Sequence, residues 1–142
     1  MKTGWYDKSY VVTRPLHNGK HQQFVLEARP CGTTNYCIAA GVFPSNCTFK
    51  SYVSSPVWNT PTSSNKNPSF SILKIALDCL QEVEKEICAV ANGEPRRIII
   101  DGFDEKRLRV YTKVLTKKEY GYRLYPLESD FCKLPKISKI LK

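Results

Sequence analysis

The carboxylates with the clearest placement for proton chemistry in this 142-residue chain are Asp101 and Asp104. They stand where a β-branched run, Ile98-Ile99-Ile100, gives way to an acid-capped helix. Carboxylates at the carboxyl end of an interior strand lie where open α/β sheets place their ligands, so this pair is the candidate for acid–base work. The competing reading is structural, with Asp104 as the helix cap and Asp101 as the residue that marks the turn. Lys106, Arg109, Lys113 and Lys117 follow at three- and four-residue spacing and share one helix face. With Arg96, Arg97 and Arg123 they make a set able to track phosphates, and Trp5, Tyr6, Trp58 and Tyr120 are aromatics able to stack on bases. The plain alternative is a solvated basic face.

Net charge of +9 gives long-range attraction for an anionic partner: acidic protein, nucleic acid or anionic cofactor. Other chemistries find no footing. The chain has no G-x-S-x-G elbow and no Walker loop, and neither an RNP sequence nor a zinc finger. His17 and His21 flank Asn18-Gly19. If those two residues form the turn, His17 faces Lys20, His21 faces Leu16, and the imidazoles leave opposite faces of the hairpin. Cys31, Cys37 and Cys47 match no zinc-site spacing, so no metal is expected. The longest apolar run falls far short of the roughly 20 residues of a membrane span. Residues 1–12 lack the apolar core of a signal peptide, so a cytoplasmic protein is expected. The six cysteines are read as reduced thiols rather than disulfides. Cys79 and Cys88 point to opposite faces of one helix, and the glycosylation pattern Asn46-Cys47-Thr48 is discounted.

The elements that must position these groups are legible in outline. Tyr10–Leu16 and Gln22–Arg29 predict a hairpin about Asn18-Gly19, a pair suited to a type I′ turn. Tyr36–Phe43 and Cys47–Ser54 complete an expected four-strand meander. Pro56–Pro68 is a long loop rich in Pro, Ser, Thr and Asn. Asn67 and Pro68 open a helix, and Ile72, Ala76, Cys79, Leu80, Val83 and Ile87 form its apolar stripe, with Glu82, Glu84 and Glu86 away from it. Asn92-Gly93 supplies a left-handed stop. The triple isoleucine predicts an interior strand. In the second helix, from Asp104, Leu108, Tyr111, Val114 and Leu115 make the buried face. Tyr122–Leu127 is the last expected strand. Residues 1–132 then form a single domain, and 133–142 a weakly ordered basic tail.

The order strands, helix, strand, helix, strand resembles the C-terminal core of the GNAT acetyltransferases. In that family the second helix follows an N-x-x-A-x-x-x-Y pattern, whose spacing Asp104, Arg107 and Tyr111 occupy, and Tyr120-Gly121-Tyr122 resembles the turn that ends it. The resemblance implies acetyl-CoA as cofactor and Tyr111 as general acid toward the departing thiolate. Residues 69–125, with Phe70, Ile98–Ile100 and an R-x-x-x-Y pair at Arg107 and Tyr111, also resemble small uncharacterised phage and bacterial proteins. That likeness implies a phage-type accessory protein working in the cytoplasm of a host cell. The combined expectation is an α+β fold with a mostly antiparallel sheet of about six strands and helices mainly on one face. Its leading function is non-enzymatic engagement of an acidic protein or nucleic acid through Arg96, Arg97, Lys106, Arg109, Lys113, Lys117 and Arg123. The alternative is a divergent acyltransferase.

Overall fold

The computed structural model describes residues 1–17, 19–53, 70–100, 105–125 and 136–141, the side chains of 70, 71, 105–108 and 125 excepted. The fold is α+β. Its elements in chain order are β1 (Gly4–Tyr6), β2 (Ser9–Leu16), β3 (Gln22–Pro30), β4 (Asn35–Pro44), α1 (Phe49–Val53), α2 (Phe70–Ala91), β5 (Arg96–Ile100), α3 (Glu105–Leu115), β6 (Arg123–Tyr125) and β7 (Lys136–Leu141). The strands form a seven-stranded sheet in the order β1-β2-β3-β4-β5-β7-β6. Every neighbouring pair is antiparallel except β4–β5, which is parallel.

Strand alternation divides the buried residues between two faces. Tyr10, Val12, Phe24, Leu26, Ala28, Ile98, Ile100, Ile137 and Leu141 meet Cys79, Leu80, Val83 and Ile87 of α2 and Leu115 of α3 in the main core. We call this the helix face. On the opposite face Val11, Val25 and Phe43 pack against Cys47 and Tyr52, so α1 covers the β2–β3 half. The apolar stripe of α2 stands as expected, and Asn92 and Gly93 end that helix with φ of 52° and 87°. Ile98 is fully buried, and β5 is interior between β4 and β7.

One strand is added to those expected, and four expectations are corrected. Gly4–Tyr6 is a strand, added to β2 through a tight turn in which Asp7 has φ 56°. Cys47–Ser54 is not a strand. The Ser51 amide donates to the Thr48 hydroxyl at 3.2 Å and the Thr48 amide to the Ser51 hydroxyl at 3.0 Å. This reciprocal cap starts α1, and burial of Tyr52 holds it down. Leu16 pairs with Gln22, one residue out of register with the Leu16–His21 pairing that a two-residue turn at Asn18-Gly19 requires. Asn18 lies outside the described residues. Cys31 and Cys37 form a disulfide across the turn from β3 to β4. Compartment reasoning gave way to geometry there: the turn brings the Cα atoms to 6.1 Å, within bonding range. The basic tail, finally, supplies β7, which pairs with both β5 and β6. Ile137 and Leu141 drive this by filling the core, while Ile140 faces away and is 53% exposed.

Candidate functional site

The basic residues expected to act as one set lie on two sides of the sheet. Arg96 is opposite Leu141, hence on the helix face, and pairs with Glu94 at 3.3 Å. Arg97 is opposite Ile140, and Arg123 is opposite Ser138, which is opposite Ile99. Both arginines therefore stand on the opposite face. Arg109, Lys113 and Lys117 are exposed on and just after α3, whose Leu115 packs onto the helix face. Lys106 belongs to α3, but its side chain lies outside the described residues, as does that of Arg107. Asp101 and Asp104 also lie outside them. Tyr111 is half-buried against the main core. Of the aromatics considered for stacking, Trp5 donates its indole N–H to Glu86 at 3.0 Å, Tyr6 stacks on Phe49, and Tyr120 packs against the core. Trp58 lies outside the described residues.

The parallel pair creates a fork. β4 and β5 are in register from Asn35–Arg97 to Ile38–Ile100, and β5 ends there. β4 runs on to Pro44, paired only with β3 among the described residues. The Arg97 amide donates to the Thr34 carbonyl at 2.9 Å, so main-chain groups of even-numbered residues on this strand point toward β5. By the same alternation the N–H and C=O groups of Ala40 and Val42 point into the fork, while Ala39, Gly41 and Phe43 bond β3. The side chains of Ala40 and Val42 lie against the main core, the same cluster that Tyr111 packs on. Among the described residues the fork is thus an unpaired strand edge at the carboxyl end of the parallel pair, walled by apolar side chains. An extended ligand with amide groups can add to such an edge through main-chain hydrogen bonds.

Two polar groupings escaped the sequence reading. The first is a clamp on α2. The Tyr122 hydroxyl donates to Glu84 Oε1 at 3.0 Å, and Lys139 Nζ reaches the same oxygen at 2.9 Å. Tyr122 is 2% exposed, and burial, reinforced by Glu84, holds its hydroxyl far above the ordinary phenol range, so it remains a donor. Glu82 pairs with Arg14, and Glu86 with Trp5, on the other flank. The three glutamates tie α2 to β1–β2 on one side and to Tyr122 and β7 on the other. The only sequence trace is their i, i+2 spacing beside the stripe.

The second is Glu27, fully buried on the opposite face. Its Oε1 accepts from Arg29 Nε at 3.0 Å, while Oε2 has no hydrogen-bond partner among the described residues. Burial pushes its carboxyl above the usual range, and Arg29 offsets part of that. The same burial and the nearby Glu27 push Tyr52 up strongly. Cys79, on the buried face of α2, is raised to about 11 by burial and is a poor nucleophile there. Among the described residues no group of three His, Cys, Asp or Glu is placed to hold a metal, and no helix is long and apolar enough to cross a membrane. Comparison with protein-family models, curated proteins and solved structures gives no match.

Proposed function

We propose that this protein takes an acyl thioester of the acetyl-CoA type in the β4–β5 fork and acts as a divergent acyltransferase. The observation that supports the reading is the edge at Ala40 and Val42, unladdered among the described residues, at the point where the β4–β5 parallel pair parts. The pantetheine arm of such a ligand is a narrow chain with two amides, matched in chemistry to an edge that offers alternating N–H and C=O groups between apolar walls. The α3 helix follows β5 directly and carries Tyr111, the group assigned to protonate the departing thiolate. A thiolate leaving group needs that proton near neutral pH, and a tyrosine hydroxyl is a competent general acid.

Calorimetry with acetyl-CoA tests the proposal. Saturable binding in the micromolar range is expected, and no binding at millimolar concentration overturns it. Val42→Pro removes one N–H from the fork without touching the β3 ladder. It is expected to weaken acetyl-CoA binding at least tenfold while the far-ultraviolet circular dichroism stays that of the parent. Tyr111→Phe is expected to retain binding and lower turnover.

The second reading is a non-enzymatic accessory protein that engages an acidic partner. It is favoured by the basic side chains carried on both sides of the sheet, Arg97 and Arg123 on one and Arg109, Lys113 and Lys117 on the other.

A further inference from the structure

Beyond α1, the face of the sheet opposite the two long helices is a basic platform. On it stand Arg97 of β5, Arg123 of β6 and Lys136 of β7. Between them lie Ile99, Ser138 and Ile140, and Ile140 is 53% exposed. Cross-strand alternation places all six on one side: Arg97 lies opposite Ile140, while Ile99, Ser138 and Arg123 form one row across three strands. Among the described residues of β5, β6 and β7 there is no acidic side chain. The described acid on this face of β3 is Glu27, which is buried and engaged by Arg29.

We infer that this platform binds single-stranded nucleic acid, with Arg97, Arg123 and Lys136 on successive phosphates and the isoleucines beneath the bases. The inference is separate from the fork and deepens the acidic-partner reading by naming the partner class. Strand spacing and rise put the Cα atoms of Arg97 and Arg123 about 12 Å apart and those of Arg123 and Lys136 about 8 Å apart. A polymer with regularly spaced phosphates and apolar base faces between them matches cations separated by isoleucine. An acidic peptide offers the charges without the planar apolar surface. A face three strands wide does not enter a major groove about 12 Å across, whereas a single strand laid over the sheet meets the charges and the floor together.

The test is fluorescence anisotropy with labelled oligothymidylate over a salt series. One variant carries Arg97→Glu, Arg123→Glu and Lys136→Glu. The control carries Arg109→Glu, Lys113→Glu and Lys117→Glu, the same charge change on the α3 side. Each lost phosphate contact removes about 0.7 from the slope of log K against log salt for a single strand. The platform variant is therefore expected to give a slope shallower by about 2, and the α3 control an unchanged slope. If the platform variant fails to fold, the Gln triple at the same positions serves, with the same expected slope. Binding whose slope falls only in the α3 control overturns the platform and leaves the acidic-partner reading standing. Polyglutamate that competes as well as oligothymidylate at equal charge overturns nucleic acid as the partner. Absence of binding to both polymers at 50 mM salt overturns the inference and the acidic-partner reading together.

Discussion

Glu84 Oε1 receives two donors, the Tyr122 hydroxyl at 3.0 Å and the Lys139 ammonium at 2.9 Å. The side chain of Glu84 is only 13% exposed, so water cannot readily replace both. Tyr122→Phe keeps the ring and removes one donor. Lys139→Met keeps the length of the stem, which lies 3.5 Å from a Cβ built on Gly121, and removes the other. A hydrogen bond to a charged group is worth about 1.5–3 kcal/mol, and the low end applies while the second donor remains. Each single variant should therefore lose about 1.5 kcal/mol. Removing both leaves a largely buried carboxylate without a donor, which costs a further ~1–3 kcal/mol. The double variant should exceed the sum of the singles by about 1.5 kcal/mol. At ~2.1 cal/mol/K of unfolding entropy per residue, one kcal/mol corresponds to about 3 °C in Tm for a chain of this length. The singles should melt about 5 °C lower and the double about 15 °C lower. Urea denaturation of the four proteins at pH 7 gives the coupling directly, and in a Glu84→Gln background it should shrink toward zero. Additivity within about 0.3 kcal/mol would refute the shared-oxygen argument.

Glu27 gives a pH signature of defined sign. Its folded carboxyl is raised by burial, so the stability it contributes is present in full below the unfolded pKa and is lost as pH rises through the folded value. The Tm of Glu27→Gln minus that of the parent should therefore increase between pH 4 and pH 8; a difference that is flat or falls with pH rules out the raised carboxyl. The Cys31–Cys37 disulfide closes a short loop, six residues in sequence separation, and chain-entropy arguments give it about 2 kcal/mol. The Cys31→Ser, Cys37→Ser pair should melt about 6 °C lower, and dithiothreitol should move the parent to the same value and leave the variant unmoved. An identical Tm in all four samples would show that the bond does not form in solution.

The sequence showed most clearly those parts of the fold where one periodicity dominates. The apolar stripe from Ile72 to Ile87 and the Asn92-Gly93 stop placed α2, and the three isoleucines placed β5 inside the sheet. Expectation failed where local signals compete. Cys47–Ser54 alternates well enough for a strand, but Thr48 and Ser51 can cap each other, and the cap together with the burial of Tyr52 made a helix. Lys136–Leu141 is as basic as a frayed tail, yet alternate positions Ile137, Lys139 and Leu141 point at the core, and Lys139 finds Glu84 there. Its charge hid a strand, because period two with one inward lysine reads the same as an exposed amphipathic end.

The site was less legible for a related reason. Spacing along one helix puts Arg109 and Lys113 on α3, with Lys117 just past its end, but it does not say on which side of a sheet the arginines of other strands will stand. That depends on register, and a shift of one residue moves every side chain to the other face. Arg96 and Arg97 are neighbours in sequence and occupy opposite faces, the first against Glu94 and the second beside Ile140. The fork was equally invisible, since among the described residues it follows from β5 ending at Ile100 while β4 continues to Pro44. Charge and strand length, two properties that look additive in a sequence, thus separate in space. Among the described residues the fork carries unpaired main-chain groups and little charge, the platform carries charge and no open edge at β5 or β7, and substitutions in one are expected to leave the other intact. A loss of acetyl-CoA binding in Val42→Pro together with an unchanged salt slope for oligothymidylate is the outcome this separation demands.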